Sequence, residues 1–208
     1  MPKHKTPGTR QRFTREKTRT RILDVAEELF ADRNPRDVTI REIAEKAGVT
    51  HPLVHQYVGT KDDLLDAVIQ RVAIDRTSIV KQSESLNEAV QTLVQQVLHN
   101  RVHSKTLVRA AMDDIPHESA EARIPTGRAL IELARVDAET TTDLMPAPND
   151  IDPRVVLAAI SALAYGWVAS EKLALPSFDL EAEDQEEVYR QLGQIAAYLQ
   201  NLIHASER

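Results

Sequence analysis

Thr39-Ile-Arg-Glu-Ile-Ala-Glu-Lys-Ala-Gly-Val-Thr-His-Pro-Leu-Val-His-Gln-Tyr-Val-Gly-Thr-Lys61 reads as two short helices joined by a tight turn. Thr39 with Glu42 three residues on is a capping box, so a helix should begin there. Ile40, Ile43, Ala44 and Ala47 fall on one helical face. Gly48 ends that helix where a positive φ is easiest. Thr50 can cap a second helix, and Pro52 sits in its first turn, where a missing N–H costs nothing. Val54 and Val58 are the second helix's only apolar seam. Two helices in this arrangement make a helix-turn-helix, whose second helix is a candidate for the DNA major groove.

The flanking sequence fits that reading. Ile22, Val25, Ala26, Leu29 and Phe30 give one amphipathic helix over about Thr14 to Arg33, stopped by Asn34 and Pro35. Residues 1–13 are a polar, aperiodic basic arm expected to be flexible. Thr60 and Asp63 start a further helix running to about Val80, with Leu64, Leu65, Val68, Ile69 and Val72 inward.

The chain has 208 residues, 42% hydrophobic and 28% charged, with six Gly and no Cys. An all-α fold is expected, with no disulfide, thiolate metal site or cysteine nucleophile. The basic N-terminus lacks the apolar segment of a secretory signal. The charge-free run between Arg154 and Glu171 is short for a membrane span of about 20 residues, so no membrane partner and a cytoplasmic location are expected. Net charge is −6, unevenly spread. Residues 1–61 hold 13 Lys/Arg against 8 Asp/Glu, while residues 62–208 hold 13 against 24. A basic head on an acidic body suits a protein that meets a polyanion at one end.

Arg21-Ile-Leu-Asp-Val-Ala-Glu-Glu-Leu-Phe30, Thr39-Ile-Arg-Glu-Ile-Ala44, Ala47-Gly-Val-Thr50, Tyr57 and Lys61-Asp-Asp-Leu-Leu65 resemble the N-terminal domain of TetR-family transcriptional repressors. The resemblance covers the first third of the chain. It implies a three-helix DNA-binding domain over 14–61 and a helical ligand-binding and dimerisation domain over 62–208. It also implies a homodimer on a palindromic double-stranded operator, released by a small-molecule effector, with no catalytic activity and no resident cofactor. Asn34 stands where the family usually has Gly, His55 where it commonly has Tyr, and Val58 where it often has Phe. Gly59 stands where Pro or another residue is common.

With Val54 and Val58 inward, helical geometry turns Pro52, Leu53 and Gln56 outward, with His55 and Tyr57 on the flanks. Gln56 can read adenine, His51 can donate to guanine, and Leu53 can pack on a thymine methyl. Thr39 and Lys61 are phosphate candidates, Thr50 is a further candidate DNA contact, and Arg12 and Arg15 extend the basic arm along the backbone. A solvated helix face is the bland alternative.

Beyond residue 80 the pattern gives helices from Ser85 or Asn87 to about His103, Ser104 to Asp114, Pro125 to Met145, 154–174 and 183–204. Residues 115–125 and 146–153 read as loops. The helix over 154–174 is apolar nearly all round, so a partner subunit is its expected cover. Val156, Ile160, Leu163 and Trp167, with Leu192, Ile195 and Leu199, are the expected dimer interface. His103, Arg109, Met112, Tyr165 and Trp167 are the candidate effector contacts. His99 and His103 have i, i+4 metal-ligand spacing, with Asp113, Asp114, His117 and Glu118 nearby in sequence. A metal-dependent enzyme on a vestigial head is therefore the competing function, although no metalloprotease, phosphate-loop or nucleophile motif is present. A non-specific DNA-coating protein is the other.

Overall fold

A computed structural model describes residues 15–112, 120–140 and 152–204. Among these residues every regular element is helical. In order they are α1 (Arg15–Asp32), α2 (Ile40–Ala47), α3 (His51–Tyr57), α4 (Lys61–Gln82), α5 (Leu86–His99), α6 (Arg101–Met112), α7 (Ala120–Thr140), α8 (Pro153–Ser177) and α9 (Gln185–His204). Short 3-10 turns at Pro35–Asp37 and Ala182–Asp184 link α1 to α2 and α8 to α9.

Two apolar cores form. The first joins Ile22, Ala26 and Phe30 of α1, Ile43 and Ala47 of α2, Val54 of α3 and Leu64, Leu65, Val68 and Ile69 of α4. The second joins Val80 of α4 with α5, α7, α8 and α9, through Leu86, Val90, Leu98, Leu130, Val156, Ile160, Tyr189 and Leu192. The expected domain boundary at 61–62 thus falls at the start of a helix that enters both cores. α6 packs along α1 and α8, so it too spans the halves.

Local chemistry explains the helix ends. Thr60 Oγ1 accepts from Asp63 N–H at 3.1 Å and Asp63 Oδ2 accepts from Thr60 N–H at 2.8 Å, a complete capping box. The Thr60 N–H and, at 2.7 Å, the Thr60 hydroxyl both donate to Asp63 Oδ2 and hold that carboxyl below its ordinary range. Gly59 has φ +107°, and a Cβ there would lie 2.5 Å from Asp63 Oδ2, so glycine suits this turn on two counts. Ser85, rather than Asn87, caps α5 by accepting from Glu88 N–H at 3.2 Å.

Several expectations are revised. α5 ends at His99, and Asn100, at φ −87° and ψ 71°, separates it from α6. The boundary expected between His103 and Ser104 therefore falls earlier, at Asn100. α7 begins at Ala120, so Pro125 lies inside a helix rather than at its start. The remainder of the loops expected at 115–125 and 146–153, apart from those helical ends, lies outside the described residues, as do the arm over 1–13 and Asp113, Asp114, His117 and Glu118.

The assignment of the dimer interface also changes. Val156, Ile160 and Leu192 are buried within the chain itself, and Leu163, Trp167 and Leu199 pack partly buried against the same core. α5, α7 and α9 cover that side of α8, which periodicity cannot foresee. The open face of α8 runs instead through Val155, Ala158, Ala162, Gly166, Ala169 and Leu173. Ile195 remains half-exposed on α9, beside Tyr198, which is 71% exposed. α8 is long and apolar enough to cross a membrane by length and composition alone. Its buried Glu171 meets Arg101 of α6 at 2.5 Å, and Tyr189 of α9 lies beside both, so packing between helices accounts for the buried part of its composition.

Candidate nucleic-acid interface and effector cavity

The helix-turn-helix is built as its residue types require. Thr39 has extended backbone and its Oγ1 accepts from Glu42 N–H at 3.2 Å, capping α2. The reciprocal half of the expected capping box is absent, because the Glu42 carboxylate pairs with Arg33 instead. Gly48 has φ +67°, and its N–H bonds the last carbonyls of α2. The Arg21 guanidinium lies 3.4 Å from where a Cβ on Gly48 would stand, so the turn passes close to α1.

α3 is pinned by Val54, which is fully buried. Thr50 occupies the N-cap, yet its side chain makes no capping hydrogen bond. That hydroxyl is left for another acceptor. His51, Pro52, His55 and Gln56 are exposed, and the two imidazoles meet edge-on with centroids 4.8 Å apart. Leu53 and Tyr57 are half-buried, less open than helical geometry alone implied. Tyr57 packs on the head's core and carries the Arg15 guanidinium 5.7 Å above its ring. This places a cation at the edge of α3 and gives Tyr57 a positioning task besides any DNA contact. Lys61 Nζ donates to the Arg36 carbonyl at 2.9 Å, tying the start of α4 to the turn before α2. Arg12 lies outside the described residues.

The head is joined to the body by an ionic junction that sequence reading missed. Glu27 is buried on α1 and pairs with Arg71 of α4. Arg71 also donates to Asp24 at 2.6 Å. His103 of α6 faces the same Glu27 carboxylate, and Thr106 Oγ1 donates to the Glu27 carbonyl at 3.2 Å. One carboxylate therefore touches α4 and α6 together. His99 points elsewhere, to Glu186 of α9 at 3.1 Å. The two histidines sit on different helices with different carboxylates and do not converge as the i, i+4 spacing suggested.

A cavity of about 630 Å³ lies in the body, walled by α4, α5, α6, α7 and α8. Its volume is within the roughly 300–1,000 Å³ typical of small-molecule sites. Val94, Val97, Leu130, Leu157 and Ile160 make most of the wall apolar. Of the candidate effector contacts, Tyr165 and Met112 line it, with Met112 79% exposed. His103 and Arg109 do not, because α6 turns them away, His103 toward α1. Trp167 also lies outside the lining, packed on the neighbouring core. Sequence reading missed Arg76, which enters the cavity from α4 and donates to Tyr165 Oη. A signal was available: Ile69, Val72 and Arg76 share the i, i+3, i+7 stripe, which puts an arginine on a buried face.

A small helical head with an exposed helix after a glycine turn, joined to a cavity-bearing helical body, defines a helix-turn-helix DNA-binding regulator. Comparison with known proteins specifies it further. Residues 22–68 match the family model described as bacterial regulatory proteins, tetR family. The chain is 30% identical over 153 residues to the HTH-type transcriptional repressor Rv3405c of Mycobacterium tuberculosis, covering 74% of this chain and 73% of that protein. It is 33% identical over 113 residues to the HTH-type transcriptional activator FasR of Mycolicibacterium smegmatis, covering 54% and 47%. A TetR-family regulatory protein from Rhodococcus RHA1 superposes with TM-score 0.65 at 18% identity, covering 88% of this chain and 96% of the other. The chain belongs to the TetR family of transcriptional regulators. These relatives are regulators of transcription, not enzymes.

Proposed function

We propose that the protein is a cytoplasmic repressor that binds a palindromic double-stranded operator as a homodimer and leaves it when a small molecule enters the cavity. The observation that carries the DNA part is α3, whose exposed His51, Pro52, His55 and Gln56 bear no carboxylate and stand beside Arg15. Such a face suits a groove between phosphate backbones better than open water. The repressor reading leans on the name of the relative Rv3405c, while FasR is named an activator.

Dimerisation is supported by the open apolar face of α8 and α9, where Val155, Leu173, Ile195 and Tyr198 remain exposed. Two copies meeting there would present two α3 helices, which must match groove centres about 34 Å apart or a multiple of that. An effector acts only as far as it prefers one head spacing over another. The cavity and the head share α4 and α6, so occupancy has two direct routes to α1.

Competition between the gene's own upstream DNA and random DNA, at one fixed salt concentration, tests the reading. The upstream fragment should win by at least about a thousandfold. Equal affinities would leave a non-specific DNA-coating protein instead. Light scattering at micromolar concentration should give a dimer, and a monomer would remove the α8–α9 interface.

A further inference from the structure

The cavity holds a charge without a counter-charge. Among the described residues that line it, Arg76 is the one ionised side chain. It donates to the Tyr165 hydroxyl and lies with its guanidinium carbon 5.4 Å from the centre of that ring. Neither contact is with an anion. The other polar groups of the lining, the hydroxyls of Thr126 and Ser161, are already engaged, Thr126 with Thr77 at 2.9 Å and Ser161 with the Leu157 carbonyl at 3.0 Å. Burial pushes the guanidinium down to about 10, the direction of a cation whose desolvation is uncompensated.

An arginine partly withdrawn from water, with no acid beside it among the described residues, costs stability. The other arginine of α4 within the fold's interior, Arg71, has two carboxylates. An amphipathic cavity that is apolar along Val94, Val97, Leu130 and Ile160 and cationic at one point is complementary to a molecule with the reverse pattern. A neutral apolar ligand would leave the guanidinium unpaired, and a cationic one would be repelled by it. A carboxylate can accept two parallel N–H bonds from the planar guanidinium, with the Tyr165 hydroxyl as a further donor.

Building on the effector reading above, we infer that the effector is an apolar organic acid, its carboxylate on Arg76 and Tyr165 and its hydrocarbon body against α5, α7 and α8. Because Arg76 is on α4 and Tyr165 on α8, the bound carboxylate bridges the helix that leads to the head and the helix of the open apolar face.

The test uses the full chain and matched probes. The neutral dye N-phenyl-1-naphthylamine reports occupancy of the cavity by fluorescence, and decanoic acid and 1-decanol compete for it. Decanoic acid should displace the dye at a concentration roughly tenfold or more below that needed for decanol, the worth of a charge-assisted hydrogen bond. Arg76→Gln should erase that difference, and Arg76→Lys should keep part of it. Circular dichroism of both variants establishes that each is folded. Equal displacement by acid and alcohol, no displacement by either, or an acid preference that survives Arg76→Gln would overturn the inference. The same acid is then added to the protein on its upstream DNA. Acid preference without DNA release would leave the carboxylate site standing and remove the effector reading. Release by decanol at the same concentration as by the acid would do the opposite.

Discussion

Arg71 and Arg76 lie five residues apart on α4, one under the head and one inside the body. Arg71 pairs with Glu27 and Asp24 of α1, and Glu27 is buried. Arg76 faces an apolar cavity and, among the described residues, donates to the Tyr165 hydroxyl and meets no carboxylate. The same side chain thus does two jobs on one helix. Satisfied, it locks α4 to the head. Unsatisfied, it leaves an interaction open for something that is not part of the chain. A buried charge whose partners are all present is architecture, and one whose partner is missing marks a site.

Replacing each arginine with Met should separate them sharply. Arg71→Met leaves the buried Glu27 carboxylate facing His103, whose charged form burial disfavours, and no permanent cation. Loss of one partner from such a pair costs about 3–5 kcal/mol. For a chain of this size that lowers Tm by on the order of 10 °C. Arg76→Met removes an uncompensated cation from an apolar wall, so stability should stay within about 1 kcal/mol of the parent or rise. Urea unfolding of both variants gives the comparison. Equal losses would mean that Arg76 is as structural as Arg71.

The head has its own contrast, between base reading and backbone holding. Gln56 is exposed on α3, while Lys61 is half-buried and engages the Arg36 carbonyl. Gln56→Ala should cost about 1–3 kcal/mol on the preferred operator and relax preference at one base pair. Lys61→Ala should weaken binding to all sequences alike and reduce the salt slope by about one. Titrating both variants against operator and scrambled DNA at several salt concentrations distinguishes them. The reverse pattern would exchange the two roles.

The turn before α4 gives a smaller effect. Gly59 sits at φ +107°, with no room for a Cβ beside the Asp63 carboxylate. Gly59→Ala should destabilise by about 1–2 kcal/mol through backbone strain, and by more where the capping bond is also lost. A neutral result in urea unfolding would mean that the turn relaxes freely.

What was legible in the sequence was local. Thr60 with Asp63, Ser85, and Gly48 at a positive φ each act within four residues, so residue type and spacing suffice. Helical periodicity likewise located Ile22, Phe30, Leu64 and Val54 in the core. It failed where the question was which neighbour covers a face. The stripe of Val156 and Ile160 suggests an intersubunit seam, yet the chain's own helices bury both, and Val155 and Leu173 are left open. Periodicity identifies an apolar stripe without naming its cover. The Glu27–Arg71 pair joins residues 44 apart, a separation at which no local rule operates. His99 and His103 have a spacing that can hold a metal on one helix, although surface or pocket-wall places are the commoner outcome, and they lie apart because Asn100 ends α5 between them and changes the direction of the second side chain.

The smallest predicted effect falls on His99. His99 Nδ1 lies 2.8 Å from the Gln95 carbonyl and Nε2 lies 3.1 Å from Glu186 Oε2. Both neighbours are acceptors, so both ring nitrogens must carry hydrogen for the two bonds to form together. The Gln95 bond first, and the Glu186 carboxylate second, raise the His99 pKa above its ordinary 6.5. A pKa raised in the folded state means that the folded chain binds the proton more tightly than the unfolded chain. The stabilisation is fully present below pH 6.5 and is lost as pH rises through the higher folded value. His99 and Glu186 are both largely exposed, so water and salt screen the pair and its worth stays under about 1 kcal/mol. The stability difference between the parent and His99→Gln, followed by urea unfolding from pH 5.5 to 8.5, should therefore shrink toward alkaline pH and shrink further in high salt. A difference that grew with pH would mean that a neutral imidazole is what the α5–α9 contact selects.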